Sequence, residues 1–225
     1  MKTPHDALIA MLLGDAPASP ALERWLATDA GRRELAAYRR TLAALERVVG
    51  SPTTGGRQVY YCAVPSPIGR LFVAASDTGL VRVSFPQSER AFVESLRRSL
   101  DVVPVRSRER TADIVHQLRA YFAGERRVFD VQLDLSGVSP FQRAVLMAAV
   151  SVPAGQVVSY GEIARRIGQP GGSRAVGQAL GRNPIPIVIP CHRVIAAGGR
   201  IGGYGGGLAR KRRLLRLEGA LAVGG

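Results

Sequence analysis

A proline-bracketed apolar run that ends at Cys191 and His192 constrains this chain more than any other stretch. The run Ile185 to Ile189 is rich in β-branched residues, which favour extended backbone. Pro186 and Pro190 have no amide hydrogen, so the run cannot be a central strand of a sheet. We therefore expect a stiff, buried, extended segment that holds the Cys191 thiol in place. A cysteine there is either a nucleophile, since the thiolate is highly reactive, or a packed core residue.

The charge of the chain predicts an anionic partner. Its 225 residues include 31 basic and 17 acidic side chains, a formal net charge of +14. Nucleic acid is the simplest partner for such a surplus. Cys62 and Cys191 make no disulfide framework, and three scattered histidines give no metal-ligand spacing. We expect no cofactor, no metal and no membrane span, and a monomer in the cytoplasm, where a free reactive cysteine stays reduced.

Residues 1–56 are predicted to form a helical extension that ends in a flexible linker. Pro20 and Asp29 each precede a helical pattern, and the linker runs from Gly50 to Gly56. Apolar residues spaced three and four apart predict one stripe on the longer helix: Leu35, Tyr38, Leu42, Leu45 and Val49. This stripe either packs on the rest of the protein or binds a partner protein.

Strand and helix signals alternate over residues 57–136 and predict an α/β domain. The expected strands are residues 59–64, 71–75, 80–85, 102–105 and 128–135, and the expected helices are 88–100 and 111–122. The domain contains no catalytic grouping. Cys62 is expected to pack inside the first strand.

Residues 137–225 are predicted to form a mainly helical domain that contains a helix-turn-helix. Ser139 and Pro140 start one helix as a cap and a first-turn proline. Ser159 and Glu162 form a capping box that starts a second helix. A Pro-Gly-Gly turn then leads to a third helix, for which Ser173 is the expected cap. Two short helices joined by a tight glycine turn are typical of a helix-turn-helix.

The outward face of the third helix carries few side chains. Arg174, Gly177, Gln178 and Gly181 share that face. A helix that reads sequence in the major groove needs several long polar side chains, and this face has two. Either the thin face lies close against DNA, with Arg174 protruding, or the glycines allow close packing against another helix.

A single glutamate follows a strongly basic final helix. Residues 208–217 contain five cations: Arg210, Lys211, Arg212, Arg213 and Arg216. Glu218 is either a solvated ion-pair partner or the third member of a Cys191–His192–Glu218 relay, in which a carboxylate orients a base. Such a relay would raise the thiolate fraction of Cys191. The many glycines between residues 198 and 207 predict a bent loop that lines a pocket.

The block Pro190-Cys191-His192-Arg193-Val194, with Asn183-Pro184 before it, resembles the signature of the methylated-DNA–protein-cysteine methyltransferases, also called O6-alkylguanine-DNA alkyltransferases. The resemblance covers roughly residues 58–220. It implies a ribonuclease-H-like first half, a helix-turn-helix second half and single-turnover transfer of the alkyl group of O6-alkylguanine in double-stranded DNA to Cys191. The alternative is a sensor that binds and flips the lesion without reacting, and the presence of Cys191 argues against it.

The resemblance also implies roles for individual residues. Cys191 would accept the alkyl group, His192 would act as a base through a water, and Glu218 would orient His192. Asn183 would organise the segment before Cys191, and Tyr160 would assist nucleotide rotation and protonate the guanine. Arg174 would fill the gap left in the base stack. The other implied residues are DNA contacts at Ser173, Ala175, Gly177 and Gln178, and a base pocket at Pro190, Val194, Tyr204 and Gly205.

Two positions depart from the pattern of that family. Gly205 stands where a serine is common, so any contact with the base there must come from the backbone. Leu146 stands where a tryptophan is common, which indicates a change in packing.

Overall fold

The structure is a computed structural model that describes residues 19–36 and 57–221. The chain divides into two units, residues 1–55 and 56–225. The predicted linker from Gly50 to Gly56 lies outside the described residues. So does the predicted apolar stripe, except for Leu35, and its role stays a prediction.

Helix α1, Pro20–Leu26, opens the described part of the first unit. The Ser19 side chain accepts a hydrogen bond from the backbone N–H of Leu22 at 3.2 Å, and proline occupies the first turn. A second helical stretch covers residues 29–36. Both begin where the sequence predicts.

The second unit begins with a four-stranded sheet in the order β3-β2-β1-β4. Strand β1 pairs antiparallel with β2 and parallel with β4, and β2 pairs antiparallel with β3. All four strands lie within two residues of their predicted bounds. They are β1 Arg57–Val64, β2 Leu71–Ser76, β3 Gly79–Ser84 and β4 Val102–Arg106.

One helix packs on each face of this sheet, because successive strand side chains point to opposite sides. Helix α2, Glu89–Leu100, buries Phe92 and Leu96 against one face. Helix α3, Ala112–Ala123, packs on the other face in a core that continues into the C-terminal half. Cys62 belongs to this second core and is 4% exposed, so it packs as predicted.

Residues 128–135 do not form the strand that their alternating pattern predicts. They meet the sheet at Leu133, which makes an isolated bridge with Leu80. The N–H of Leu80 donates to the Gln132 carbonyl at 2.8 Å, and the N–H of Asp134 donates to the Leu80 carbonyl at 2.9 Å. The alternation arises because alternate side chains pack against the core, while the backbone pairs with the sheet at only one residue.

Four helices follow, and the second and third form the predicted helix-turn-helix. They are α4 Pro140–Val150, α5 Tyr160–Arg166, α6 Ser173–Gly181 and α7 Leu208–Leu217. Ser139 and Ser159 cap α4 and α5 as expected. The predicted Ser173 cap is wrong. The glycine turn closes one residue earlier, so Gly172 is the cap and Ser173 is already helical.

A short parallel ladder connects α5 to the cysteine segment. Strand β5, Val158–Ser159, pairs with β6, Val194–Ile195. Tyr160 follows β5 directly, and Cys191 lies in a 3-10 turn immediately before β6. The ladder therefore brings Tyr160 and Cys191 to the same place.

Candidate active site

The segment before Cys191 is buried as expected, but it is a tight turn and not extended. Ile187 has a φ of +78°, which is rare for a β-branched residue. The N–H of Ile189 donates to the Ile185 carbonyl at 2.9 Å. The prolines that keep the run out of a sheet leave it no partner strand, so its backbone bonds to itself. Such a conformation costs about 1–3 kcal/mol and persists where the surroundings enforce it.

Asn183 holds this turn closed and contacts the sulfur. Its Oδ1 accepts from the N–H of Ile185 at 2.9 Å. Its Nδ2 donates to the Ile189 carbonyl at 2.9 Å and to Sγ of Cys191 at 3.1 Å. Because both ends of the amide are used, its orientation is fixed. Asn183 therefore positions the turn and the sulfur together.

Cys191 lies where two cavities meet. The larger cavity, about 360 Å³, extends from Cys191 towards β3 and α2. The smaller cavity, about 150 Å³, extends towards α6 and is lined by Tyr160 and Gly177. Leu180, Gly181, Tyr204 and Gly205 line both. Cys191 is 7% exposed and lines both cavities.

Burial raises the pKa of the Cys191 thiol to about 11, outweighing the hydrogen bond from Asn183 and the nearby charge of Lys211. In the free protein the sulfur is therefore a thiol at neutral pH. The sequence-based expectation of an increased thiolate fraction is wrong for this state. In the described structure His192 makes no direct hydrogen bond to Cys191, so the pair does not offset the cost of burial.

We expect the rate at which iodoacetamide alkylates Cys191 in the free protein to rise about tenfold per pH unit between about pH 7 and about pH 9. The thiolate is the reacting form, and with a pKa of about 11 its fraction grows throughout that range. Mass spectrometry of the Cys191 peptide measures the rate. A short peptide of residues 190–194 is the control, and its rate should level off near the ordinary thiol pKa of about 8.5. If the alkylation rate of the folded protein reached a plateau below pH 9, burial would not raise the pKa of the Cys191 thiol as stated.

Glu218 lies at the centre of a buried cluster. The Tyr121 hydroxyl donates to its Oε1 at 2.6 Å, and His192 Nε2 bonds the same oxygen at 2.9 Å. Arg193 donates from Nε to Oε2 at 2.8 Å and from Nη2 to Oε1 at 2.9 Å. Glu218 is 6% exposed, so the interpretation as a solvated ion pair is wrong.

The protonation of the cluster follows from these bonds. Burial alone would raise the pKa of Glu218, but hydrogen bonds from His192 and Arg193 outweigh it and bring the pKa to about 2. A carboxylate only accepts, so His192 Nε2 carries the proton that it donates to Glu218. Burial lowers the pKa of His192, which keeps the ring neutral. Its Nδ1 is then unprotonated, and it is buried without a hydrogen-bond partner in the described part of the chain. That nitrogen is available to accept a proton.

Lys211 was not predicted as a site residue, although it is fully buried beside the cysteine segment. Its Nζ donates to the Val194 carbonyl at 2.6 Å and to the Gly203 carbonyl at 3.1 Å, and lies 5.9 Å from the centre of the Tyr160 ring. Burial lowers its pKa to about 8. The sequence did contain a signal for Lys211, because it is one of two lysines, with Lys2, among 31 basic residues. A compact ammonium fits between two carbonyls where a planar guanidinium does not.

Arg193 and Tyr121 were also not predicted as site residues. Arg193 stands in the recognised block, and besides Glu218 it bonds the Val152 carbonyl from Nη1 at 2.6 Å. A buried carboxylate requires a countercharge, which was a usable signal. Tyr121 lies on α3, 97 positions before Glu218. No local pattern connects residues so far apart.

The tyrosines of the two cavities keep their protons at neutral pH. Burial raises the pKa of Tyr160, and raises that of Tyr204 well above its ordinary value. The Tyr160 hydroxyl lies 3.4 Å from the Gly203 carbonyl. The Tyr204 hydroxyl is buried and bonds to no group within residues 19–36 and 57–221. Both side chains are therefore hydrogen-bond donors at the cavity walls.

The glycine-rich loop is bent as predicted, and two of its glycines make room for these tyrosines. A Cβ on Gly202 would lie 3.0 Å from the Tyr160 hydroxyl, and the φ of Gly202 is +66°. A Cβ on Gly206 would lie 2.7 Å from the Tyr204 ring. A side chain at Gly206 would require the Tyr204 ring to shift, and one at Gly202 would crowd the Tyr160 hydroxyl.

Pro190 and Val194 lie outside the two cavities, unlike the expected base pocket. Pro190 lines a separate cavity of about 550 Å³, together with Val188 and Arg193. Val194 is fully buried in the core, and its carbonyl accepts from Lys211. Of the four predicted pocket residues, Tyr204 and Gly205 line both cavities at Cys191.

The outward face of α6 is thin and open. A Cβ on Gly177 would make an ordinary contact with the Tyr160 ring at 3.9 Å, and one on Gly181 would meet nothing within 4 Å. Close packing against another helix therefore does not explain the glycines, and that interpretation is wrong. The predicted DNA-contact residues are exposed at Arg174, Ala175 and Gln178 and half-buried at Ser173 and Gly177.

Two features are absent from the described ranges: a cluster of metal-ligating side chains and a membrane-spanning helix. Residues 19–36 and 57–221 contain no group of three or more His, Cys, Asp or Glu side chains placed to bind a metal. No helix in these ranges is long and apolar enough to cross a membrane.

The fold and site define a two-part protein, with a ribonuclease-like α/β half and a helix-turn-helix half that carries a buried cysteine. Two family models match it: 6-O-methylguanine DNA methyltransferase, ribonuclease-like domain, over residues 59–135, and 6-O-methylguanine DNA methyltransferase, DNA binding domain, over residues 140–220. The chain belongs to the 6-O-methylguanine DNA methyltransferase family. The resemblance seen in the sequence is confirmed.

Individual relatives agree with this assignment. The methylated-DNA–protein-cysteine methyltransferase of Mycolicibacterium paratuberculosis is 47% identical over 165 residues, which cover 71% of this chain and 92% of the relative. That of Methanosarcina acetivorans is 43% identical over 164 residues, covering 72% and 99%. The crystal structure of Mycobacterium tuberculosis OGT in complex with DNA matches with a TM-score of 0.62 and 43% identity, covering 72% of this chain and 93% of that one.

Proposed function

We propose that this protein repairs DNA directly, by moving the alkyl group of O6-alkylguanine in double-stranded DNA to Cys191, once per molecule. The observation that carries this proposal is a cysteine held by Asn183 at the junction of two cavities, next to a buried His192–Glu218 pair. The names of the relatives and the DNA complex of the Mycobacterium tuberculosis relative support the same chemistry and partner.

The transfer is a substitution at carbon. Sγ of Cys191 attacks the alkyl carbon in line, the S–C bond forms, and the C–O6 bond breaks. The thiol proton passes to Nδ1 of His192 through a water, and Glu218 stabilises the resulting positive ring. The electron pair of the broken bond goes to the guanine, which takes up a proton from the Tyr160 hydroxyl. The thioether has no easy leaving route, so each molecule reacts once.

The buried thiol of the free protein fits this scheme. A thiol that stays protonated until the alkylated guanine and the water are in place is protected from other electrophiles. Lys211 lies near the sulfur and under the Tyr160 ring, where its charge favours the developing thiolate and the proton transfer from Tyr160. The proximity of donor, base and nucleophile replaces a low thiol pKa as the source of reactivity.

The thin face of α6 is the proposed DNA contact. Its glycines allow the helix backbone to approach the duplex, and its exposed arginine reaches furthest. The net charge of +14 adds a sequence-independent attraction to phosphate, so binding should weaken strongly with salt. The lesion then leaves the base stack and enters the cavities at Cys191.

We expect Arg174→Ala to raise the activation free energy of repair in duplex DNA by about 1–3 kcal/mol, the range known for a base stacked on an aromatic side chain. Arg174 would no longer fill the gap left by the flipped nucleotide. Reaction with free O6-benzylguanine should change less, because no duplex has to be opened. Arg98→Ala, an exposed arginine of α2, is the matched control for charge. Equal losses on both substrates would show that Arg174 supports the fold instead.

The stoichiometry of methyl transfer tests the proposed function. After incubation with a duplex that contains O6-methylguanine, mass spectrometry should find one methyl group per protein, on the Cys191 peptide. Tight binding to the lesion with an unmodified peptide would instead favour the damage sensor. Many turnovers without DNA would identify a hydrolase.

Three further expectations belong to the same proposal. We propose a domain division near residue 136, which is supported by the break between the two family matches at residues 135 and 140. We propose a monomer in the cytoplasm, where a reducing environment keeps Cys191 free. Residues 1–56 remain the candidate binding segment for a partner protein.

A further inference from the structure

We propose that Tyr121 is a positioning residue for the alkyl transfer: its bond to Glu218 limits the hold of the carboxylate on His192 and so keeps Nδ1 of that ring free to accept a proton. This inference rests on the proposed function and deepens it. It also gives the ribonuclease-like half a part in the reaction, because Tyr121 lies on α3.

The two oxygens of Glu218 accept unequal numbers of hydrogen bonds. Oε1 accepts from the Tyr121 hydroxyl at 2.6 Å, from His192 Nε2 at 2.9 Å and from Arg193 Nη2 at 2.9 Å. Oε2 accepts from Arg193 Nε at 2.8 Å. A carboxylate has about four lone-pair sites on its two oxygens, so Tyr121 and His192 share one crowded oxygen. The Tyr121 bond is the shortest of the four, as is typical of a hydroxyl that donates to an ionised oxygen. It therefore draws negative charge away from His192.

Tyr121 is a permanent donor. Its side chain is fully buried, and the centre of its ring lies 5.3 Å from the ring centres of Phe122 and Phe129. Burial raises the pKa of its hydroxyl far above the ordinary value, and the adjacent charge of Glu218 adds to that effect. The hydroxyl therefore keeps its proton throughout the range in which histidine titrates.

The charge state of His192 is a balance of opposing effects. Burial lowers its pKa, the hydrogen bond and charge of Glu218 raise it, and two nearby cations lower it again. The titratable groups around the ring, from α3, the 3-10 turn, the glycine-rich loop and α7, are Tyr121, Cys191, Arg193, Tyr204, Lys211 and Glu218. The thiol and the two tyrosines keep their protons at neutral pH. Glu218 is therefore the group that favours a protonated ring, and a donor that satisfies its charge weakens that preference.

Glu218 should stay in place without the Tyr121 hydroxyl. Arg193 contacts both carboxylate oxygens. Nη1 of Arg127 donates to the Leu217 carbonyl at 3.0 Å, one residue before Glu218. Removal of the hydroxyl leaves Oε1 with two donors, so no buried oxygen loses all its partners. A phenylalanine at this position therefore changes the charge on Oε1 and not the position of Glu218.

Tyr121→Phe tests this role. The midpoint of the His192 titration, followed by NMR of the ring nitrogens in the intact protein, should rise by about one pH unit, because two or three hydrogen bonds shift a carboxylate by about two units. A more basic ring is protonated at higher pH and cannot then accept the thiol proton. Below the wild-type midpoint, the single-turnover rate constant on duplex O6-methylguanine should therefore fall about tenfold relative to the wild type. Well above both midpoints the variant should at least match the wild type.

Tyr61→Phe is the matched control. The Tyr61 hydroxyl donates to Glu89 Oε1 at 3.0 Å, and its ring packs in the core on the other face of the sheet. The change removes the same kind of bond from the same half of the protein. It should leave the His192 midpoint and the pH dependence of the rate as in the wild type.

The outcomes separate this inference from the proposed function. A His192 midpoint that stays or falls in Tyr121→Phe would overturn the inference. A variant that does not fold would also overturn it, since the other bonds to Glu218 should hold that side chain. If the wild type takes up no methyl group, the proposed function fails, whereas the His192 midpoints of the free proteins still decide whether Tyr121 controls that ring.

Discussion

Replacing Glu218 with alanine is expected to destabilise residues 56–225 by about 3–5 kcal/mol and to abolish alkyl uptake. The carboxylate receives hydrogen bonds from Tyr121, His192 and Arg193. Without it, the Arg193 guanidinium remains charged in the core, where it is 5% exposed. His192 also loses the bond that fixes its orientation and its proton. Urea unfolding measures the first effect, and methyl transfer measures the second.

Two variants show whether burial causes that loss. Glu94→Ala removes an exposed carboxylate that pairs with Arg90 and should leave the free energy of unfolding nearly unchanged, because solvent screens an exposed ion pair. Glu218→Leu combined with Arg193→Met replaces the buried ion pair with apolar groups and should recover part of the stability. Equal stabilities of Glu218→Ala and Glu94→Ala would contradict a buried ion pair at Glu218.

The contribution of Glu218 also has a defined dependence on pH. Its pKa falls from an ordinary value of 4.5 to about 2 on folding. A group whose pKa is lowered on folding stabilises the native state fully above its unfolded pKa. That contribution therefore decreases as the pH drops from about 4.5 towards 2. Glu218→Gln should show a shallower loss of stability over this range than the wild type.

Asn183→Ala is expected to slow alkyl transfer by roughly a hundredfold, the typical cost of misplacing a reacting group by about 1 Å. The amide bonds both sides of the turn around Ile187 and the sulfur itself. Its removal leaves the Ile185 N–H without its partner, which costs about 1–3 kcal/mol. The Ile189 carbonyl loses one of two donors and still accepts from the Cys191 N–H at 2.8 Å. Quenched single-turnover reactions measure the rate of alkyl transfer, and urea unfolding measures the loss of stability.

Asn183→Asp separates the shape of this side chain from its ability to donate. An aspartate can still accept from Ile185, but it cannot donate to Ile189 or to the sulfur. Its negative charge beside Cys191 should raise the thiol pKa further. The iodoacetamide reaction of Asn183→Asp should therefore be slower than that of the wild type at each pH between about 7 and 9. A faster reaction would disprove the donation from Nδ2 to Sγ.

Local signals in the sequence predicted most of the elements. Ser139 and Ser159 cap helices because a hydroxyl placed before a helical run satisfies a free N–H, whatever the tertiary context. The four strands of the sheet follow from alternation and turn residues in the same way. These predictions depend on a few neighbouring residues, which the sequence supplies.

Two of the wrong predictions concern segments whose shape depends on a partner strand. Residues 128–135 alternate like a strand, but the sheet pairs with them at a single residue. The run before Cys191 contains β-branched residues typical of a strand, yet it bends at Ile187 because it has no neighbouring strand to bond. In both cases the residue types favour a strand, but a strand did not form because the backbone lacks a neighbouring strand to bond along its length.

The sequence by itself determined the family, and it singled out Cys191 as the proposed nucleophile together with Asn183 and His192, because these residues belong to one short block. Only the tertiary structure decided the contacts and the protonation of that block. It placed Tyr121 and Arg193 on Glu218, buried Lys211 under Tyr160, and raised the pKa of Cys191 to about 11. Burial and contacts between distant residues determine charge and protonation, and neither is encoded in any local stretch of the chain.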